Sequence, residues 1–121
     1  MHNLSMKNVG LSLGIALLSV AATSVYGAET PRRIEIVAKK FEYVPAEITV
    51  KKGEPVVLVF TSEDVPHGLK VKELNLVADI SKKGTSEAAF TPTVAGDFVG
   101  QCSHFCGMGH GRMKLIIHVS E

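Results

Sequence analysis

The chain has 121 residues but no tryptophan, and its aromatic content is limited to five phenylalanines and two tyrosines. There are only two cysteines, so any disulfide framework is restricted to a single bridge. Neither sign of charge dominates, with 13 Lys and Arg against 12 Asp and Glu for a net charge of +1. Every acidic residue and every basic residue except Lys7 lies beyond position 27, so that part of the chain balances to zero. Nothing in this balance suggests nucleic-acid binding. The length fits one domain, and 45% hydrophobic residues is ordinary for a globular core. No general base or nucleophile stands out, so substrate turnover by this chain alone is not expected.

One long apolar stretch is present, and it lies at the start. Lys7 supplies a basic residue, Val9 to Ala22 carries no charge, and small residues follow before Glu29. This is the pattern of a secretory signal over residues 1–27. Cleavage is expected after Gly27, with Ala28 as a near alternative. The apolar stretch reaches about 17 residues, near the lower limit of a membrane-spanning helix, so an uncleaved anchor is the competing reading. Either way the domain at 28–121 is expected to be exported, to the periplasm or an equivalent compartment.

Beyond the signal no helical period survives. Ile34, Ile36 and Ala38 alternate with exposed positions, as do Ile48 and Val50, the period-two signature of half-buried strands. Val56 to Phe60 is a continuous apolar stretch between turn residues, rich in β-branched side chains, and predicts a central strand. Further strands are predicted over 68–71, 74–80, 85–90, 97–101 and 113–119, separated by Gly, Pro, Ser and Asp. About eight short strands imply an all-β Greek-key sandwich. In the last strand Met113, Leu115, Ile117 and Val119 share the core face, and His118 points to solvent.

The chemistry is concentrated in Cys102-Ser103-His104-Phe105-Cys106-Gly107-Met108-Gly109-His110-Gly111-Arg112-Met113. The spacing is Cys-x3-Cys-x3-His-x2-Met, a set of donors that soft and borderline metals prefer. A mononuclear blue-copper site needs one Cys, two His and a weak Met. Here a second thiolate lies four residues from the first, so both can bridge a pair of metal ions, with His110 and the upstream His67 closing the outer positions. The arrangement reads as a two-copper site. Two duller readings compete. The cysteines of an exported protein commonly pair, but closing so small a ring gains little loop entropy and leaves His110 and Met113 unexplained. Zinc would accept Cys102, Cys106, His67 and His110, but gives no reason for Met113. Met108 reads as loop filling. Glycines 107, 109 and 111 suit a tightly curled loop. Glu63 and Asp64 read either as part of an acidic docking rim or as a solvated turn.

This segment resembles the copper loop of the CuA domain, the binuclear centre of cytochrome c oxidase subunit II and of nitrous-oxide reductase. The likeness extends to Thr61-Ser62-Glu63-Asp64-Val65-Pro66-His67-Gly68, to Phe90-Thr91-Pro92 and to Gly96 to Gln101, and covers the chain from Phe41 onwards. It implies a cupredoxin fold holding two copper ions. Cys102 and Cys106 would be bridging thiolates, with one copper on His67 and the other on His110. Met113 would be a weak axial ligand, and the main-chain carbonyl of His104 would serve the second copper. Subunit II usually has Glu at the position of His104; because the family ligand there is a backbone oxygen, the site is expected to survive the change. The family takes electrons from a soluble cytochrome c or cupredoxin and passes them to a haem or catalytic copper centre in a terminal oxidase or reductase. The aromatic residue through which subunit II commonly receives electrons is a tryptophan, and it has no counterpart here. A mononuclear copper carrier and a copper chaperone are the alternative functions.

Overall fold

The computed structural model describes residues 14–16 and 30–121; the expected signal segment falls outside the described residues except for 14–16. Among the described residues, no helix is long and apolar enough to cross a membrane. The described residues form nine strands: β1 (Arg32–Lys39), β2 (Glu42–Val44), β3 (Glu47–Lys51), β4 (Val56–Ser62), β5 (His67–Val71), β6 (Leu76–Ile80), β7 (Ser86–Phe90), β8 (Gly96–Gln101) and β9 (Lys114–Ser120). The only helical turns described are two 3₁₀ turns, Lys72–Leu74 and His110–Arg112.

The strands form two sheets, ordered β2-β1-β4-β7 and β3-β9-β8-β5-β6. Pairing is antiparallel except for β1 with β4 and β3 with β9. The chain passes repeatedly between the sheets, as expected of a Greek-key sandwich. β4 lies between β1 and β7 and is buried at Val56, Leu58, Val59 and Phe60, so its uninterrupted apolar character reflects cover on both faces.

Alternation decides which side chains form the core. Ile36, Ala38, Leu58 and Phe60 from one sheet are fully buried together with Leu69, Val71, Leu115 and Ile117 from the other. Each large aliphatic side chain so buried contributes about 1.5–3 kcal/mol. A one-residue slip of β9 would turn Leu115, Ile117 and Val119 outward together, so the core fixes the register of this strand and of the loop preceding it.

The structure departs from the sequence reading in two places. Strand β2 was not expected: it has three residues, too few for a period to show, and is fixed by pairing with β1 from Val37↔Val44 to Lys39↔Glu42. The strand expected over 74–80 starts at Leu76, because Lys72–Leu74 forms a 3₁₀ turn that ends on Asn75 at φ 51°, a left-handed conformation that Asn tolerates. β1 and β4 both end, and β5 begins, at the end of the sandwich where the 102–113 loop crosses. That end carries the candidate site.

Candidate metal centre

His67 is the first residue of β5, opposite Ile80 of β6, and its side chain is only 1% exposed. The turn before it is held by its own side chains: the Ser62 hydroxyl donates to the Val65 carbonyl at 2.5 Å and accepts from the Asp64 N–H at 3.3 Å. Asp64 accepts from the backbone N–H groups of Lys40 and Val65, both at 2.7 Å. Its Oδ1 also lies 2.7 Å from His67 Nε2. Partial burial pushes the Asp64 pKa up, but the Lys40 N–H, the His67 ring and the Val65 N–H outweigh it and hold the carboxyl down at about 2. An ionised Asp64 can only accept, so Nε2 carries the ring hydrogen and the lone pair of the neutral ring is on Nδ1. That Nδ1 is buried without a hydrogen-bond partner.

A buried, unpartnered nitrogen costs about 1–3 kcal/mol unless something binds it. The ring that carries it is clustered with sulfur. The donor atoms of His67, Cys102 and Cys106 all lie within 4.8 Å of one another, in a buried cluster. The two Sγ atoms are 3.9 Å apart, well beyond the ~2.05 Å of a disulfide, and both cysteines are free thiols. Cys106 Sγ is 3.9 Å from Met113 Sδ and 4.0 Å from His110 Nδ1. Cys102 Sγ lies 3.1 Å from the carbonyl oxygen of His104. Burial, followed by the neighbouring Cys102, raises the Cys106 pKa to about 11. Without a metal it is therefore a protonated thiol at neutral pH, and a metal must displace that proton. Tyr43 closes the cluster from β2; its hydroxyl donates to the Gly68 carbonyl, and burial raises its pKa further above the ordinary phenol range.

The loop is closed by the Cys102 N–H donating to the Met113 carbonyl at 3.2 Å, and the 3₁₀ turn His110–Arg112 brings the chain back to β9. Phe41, at the β1–β2 turn, forms its floor. Gly107 has φ +138°, which side chains rarely adopt, and a Cβ on Gly109 would sit 2.4 Å from the Phe41 ring. Gly111 has open space and ordinary backbone angles, so only two of the three loop glycines are required by the geometry. Met108 is 97% exposed and fills no gap, contrary to the sequence reading.

All the side chains singled out in the sequence as metal donors are thus brought to one end of the fold. His67, Cys102, Cys106 and Met113 are buried, His110 is half-buried with Phe105 tilted against it at 5.7 Å, and His104 contributes its carbonyl while its ring stays exposed. The role of Asp64 was missed. It turns inward to His67 instead of lining a docking rim. Its position three residues before the histidine was the available signal, but the same spacing is common in plain solvated turns. The buttress at Phe41 was also missed.

A two-sheet β sandwich with a Cys/His/Met cluster on the loop before its last strand defines a cupredoxin. The chain belongs to the cupredoxin-like domain family, whose model matches residues 10–117. It is similar to cytochrome c oxidase subunit 2 of Thermus thermophilus, in two sequences each 32% identical over 88 residues, or 73% of this chain. The match spans 65% of one of these relatives and 52% of the other. The fold is also that of the periplasmic domain of cytochrome oxidase subunit II from Bradyrhizobium japonicum, with a TM-score of 0.70 at 20% identity over 78% of this chain and 87% of that one.

Proposed function

We propose that this chain is an exported electron-transfer domain, residues 28–121, that holds a binuclear CuA-type copper centre and is released from, or anchored by, the segment at 1–27. Cys102 and Cys106 would bridge the two ions, His67 and His110 would bind one each, and Met113 and the His104 carbonyl would complete the set. The observation that carries this reading is the unpartnered, buried Nδ1 on a His67 ring clustered with two free thiols, with thioether, imidazole and carbonyl groups 3.1–4.0 Å from those sulfurs. A soft donor set of this kind suits copper. The relatives are named as subunit II of cytochrome c oxidase, which supports a role in accepting electrons from a soluble cytochrome c or cupredoxin and passing them to a terminal oxidase or reductase.

When bound, the paired ions supply a one-electron relay whose charge is shared across both thiolates. The protein's part is to keep those ligands still. Asp64 fixes the His67 tautomer and ring direction, the sandwich core holds Met113 through β9, and Phe41 supports the loop, so little needs to move when the charge changes. Burial of the cysteines keeps water from the thiolates.

Copper analysis with paramagnetic resonance tests the assignment. Two coppers per chain, with hyperfine structure spread over both nuclei, is the expected result; a single copper with structure from one nucleus favours a mononuclear carrier and overturns it. Cys106→Ser should abolish the two-copper spectrum, whereas Met113→Leu should keep both ions and shift the reduction potential. Faster transfer of copper to an apo acceptor than of electrons to a cytochrome would favour a chaperone.

A further inference from the structure

The described surface around the metal loop is basic, although the domain as a whole is neutral. Lys70 and Lys72 share a cavity of about 300 Å³ with Cys102 and Ser103, and Lys82 lines another of about 310 Å³ with His67 and His104. Lys83 is the next residue, Arg112 lies over the Phe41 ring at 5.9 Å, and Lys40 is exposed beside Asp64. Against these six cations stand three exposed acids, Glu63, Glu73 and Asp79. Asp64 turns inward to His67 and the Lys40 N–H but keeps its charge, so this end carries an excess of two cations, and Lys39 and Glu42 neutralise each other at 3.4 Å. Because the charges after residue 27 sum to zero, the compensating acidic excess lies elsewhere; Glu35, Glu47, Glu54, Glu87 and Asp97 are exposed or half-buried away from the loop. Next to His104 and to the glycines packed on Phe41 the loop presents Phe105, 70% exposed, and Met108, 97% exposed. An apolar centre with a charged rim is the anatomy of a protein-docking surface.

We propose that this end docks a redox protein with an acidic face around its own exposed redox group, so that the donor class is acidic and not the basic cytochrome that an acidic rim would select. The inference rests on the electron-transfer reading and adds the charge of the partner to it. The interspersed acids favour a protein over a lipid surface, because a uniformly anionic bilayer would repel Glu63, Glu73 and Asp79 while a mixed protein surface can pair with them. In the exchange the donor's redox group would give up one electron and be oxidised by one, and the copper held by this chain would be reduced by the same one electron.

The test uses one c-type cytochrome in two forms: native, with its surface lysines intact, and succinylated, which converts those ammonium groups to carboxylates. Reduction of the copper-loaded full chain is followed by stopped flow over a range of salt concentrations. The acidic form should react on the order of tenfold faster at low salt, and its advantage should vanish as salt rises. Lys82→Glu with Lys83→Glu should remove most of that advantage, while Lys51→Glu, at the opposite end of β3, should not. Amide chemical shifts of the metal-free chain supply a second readout: the acidic cytochrome should perturb residues 103–108 and the native form should not. Faster reduction by the native form, or rates indifferent to charge, would overturn the inference. So would capture of the chain by phosphatidylglycerol vesicles that blocks both cytochromes, which would assign the patch to a membrane. Loss of the two-copper spectrum with the shift pattern intact would overturn the copper assignment and leave the docking surface standing.

Discussion

Both nitrogens of His67 have assignments that follow from one neighbour: Asp64 accepts the Nε2 hydrogen and thereby leaves the lone pair on the buried, unpartnered Nδ1. A carboxylate in this position orients a metal-binding imidazole and raises its basicity. Asp64→Asn should therefore weaken copper binding on the order of 10–100-fold while the fold is retained, measured by competition with a chelator of known affinity. Glu63→Gln, one residue earlier and exposed, should leave that affinity unchanged. At this scale the donors were legible from the sequence because thiolate, imidazole and thioether at close spacing have few other uses. Asp64 was not, since a carboxylate in a polar turn reads equally as solvated, and only the inward direction of its side chain separates the two.

Among the elements, the β1–β2 turn has an influence beyond its length. Phe41 sits directly under Gly109, so Gly109→Ala forces a Cβ to within 2.4 Å of the ring. Overpacking of this kind costs about 1–3 kcal/mol. Urea unfolding should show the loss, and combining the change with Phe41→Leu should recover part of it, because a smaller side chain relieves the contact. The far corner of the larger sheet has a different device. His118 on β9 is bound by Asp97 of β8 at 2.6 Å and by Glu47 of β3 at 3.1 Å, tying three strands together. The Asp97 hydrogen bond, followed by that of Glu47, raises the His118 pKa above its ordinary value. A raised folded pKa means that the stabilisation is complete below the unfolded value of about 6.5 and is lost as pH rises through the folded one. The melting temperature should accordingly fall from about pH 6 to above the raised pKa, and His118→Gln should flatten that slope. The solvent-facing position of His118 was legible from the alternation in β9; its two carboxylate partners, 21 and 71 residues away, were not.

For the whole molecule, the donors come from the start of β5 and from the loop between β8 and β9, which are joined by the larger sheet but separated by more than thirty residues of chain. A bound metal would link them and stabilise only the folded state. With copper at about a hundred times its dissociation constant the gain is about 2.7 kcal/mol, so stripping copper with a chelator should lower the melting temperature by several degrees, seen by calorimetry. A chain whose melting is indifferent to copper would place the metal outside the folded site.

Composition and short-range pattern determined a good deal by themselves. Alternating Ile, Val and Leu required strands, because a half-buried sheet repeats every two residues; the apolar stretch at Val56 to Phe60 required a covered one; and the Cys-Cys-His-Met spacing put four soft or borderline donors on one loop. What only the tertiary structure decided is whatever depends on residues distant in sequence meeting in space. It turned Asp64 toward His67, placed Phe41 beneath the glycines, paired a three-residue β2 with β1, and brought Lys70, Lys72 and Lys82 beside the 102–113 loop. No local period encodes these, because each is fixed by the packing of two sheets against a common core.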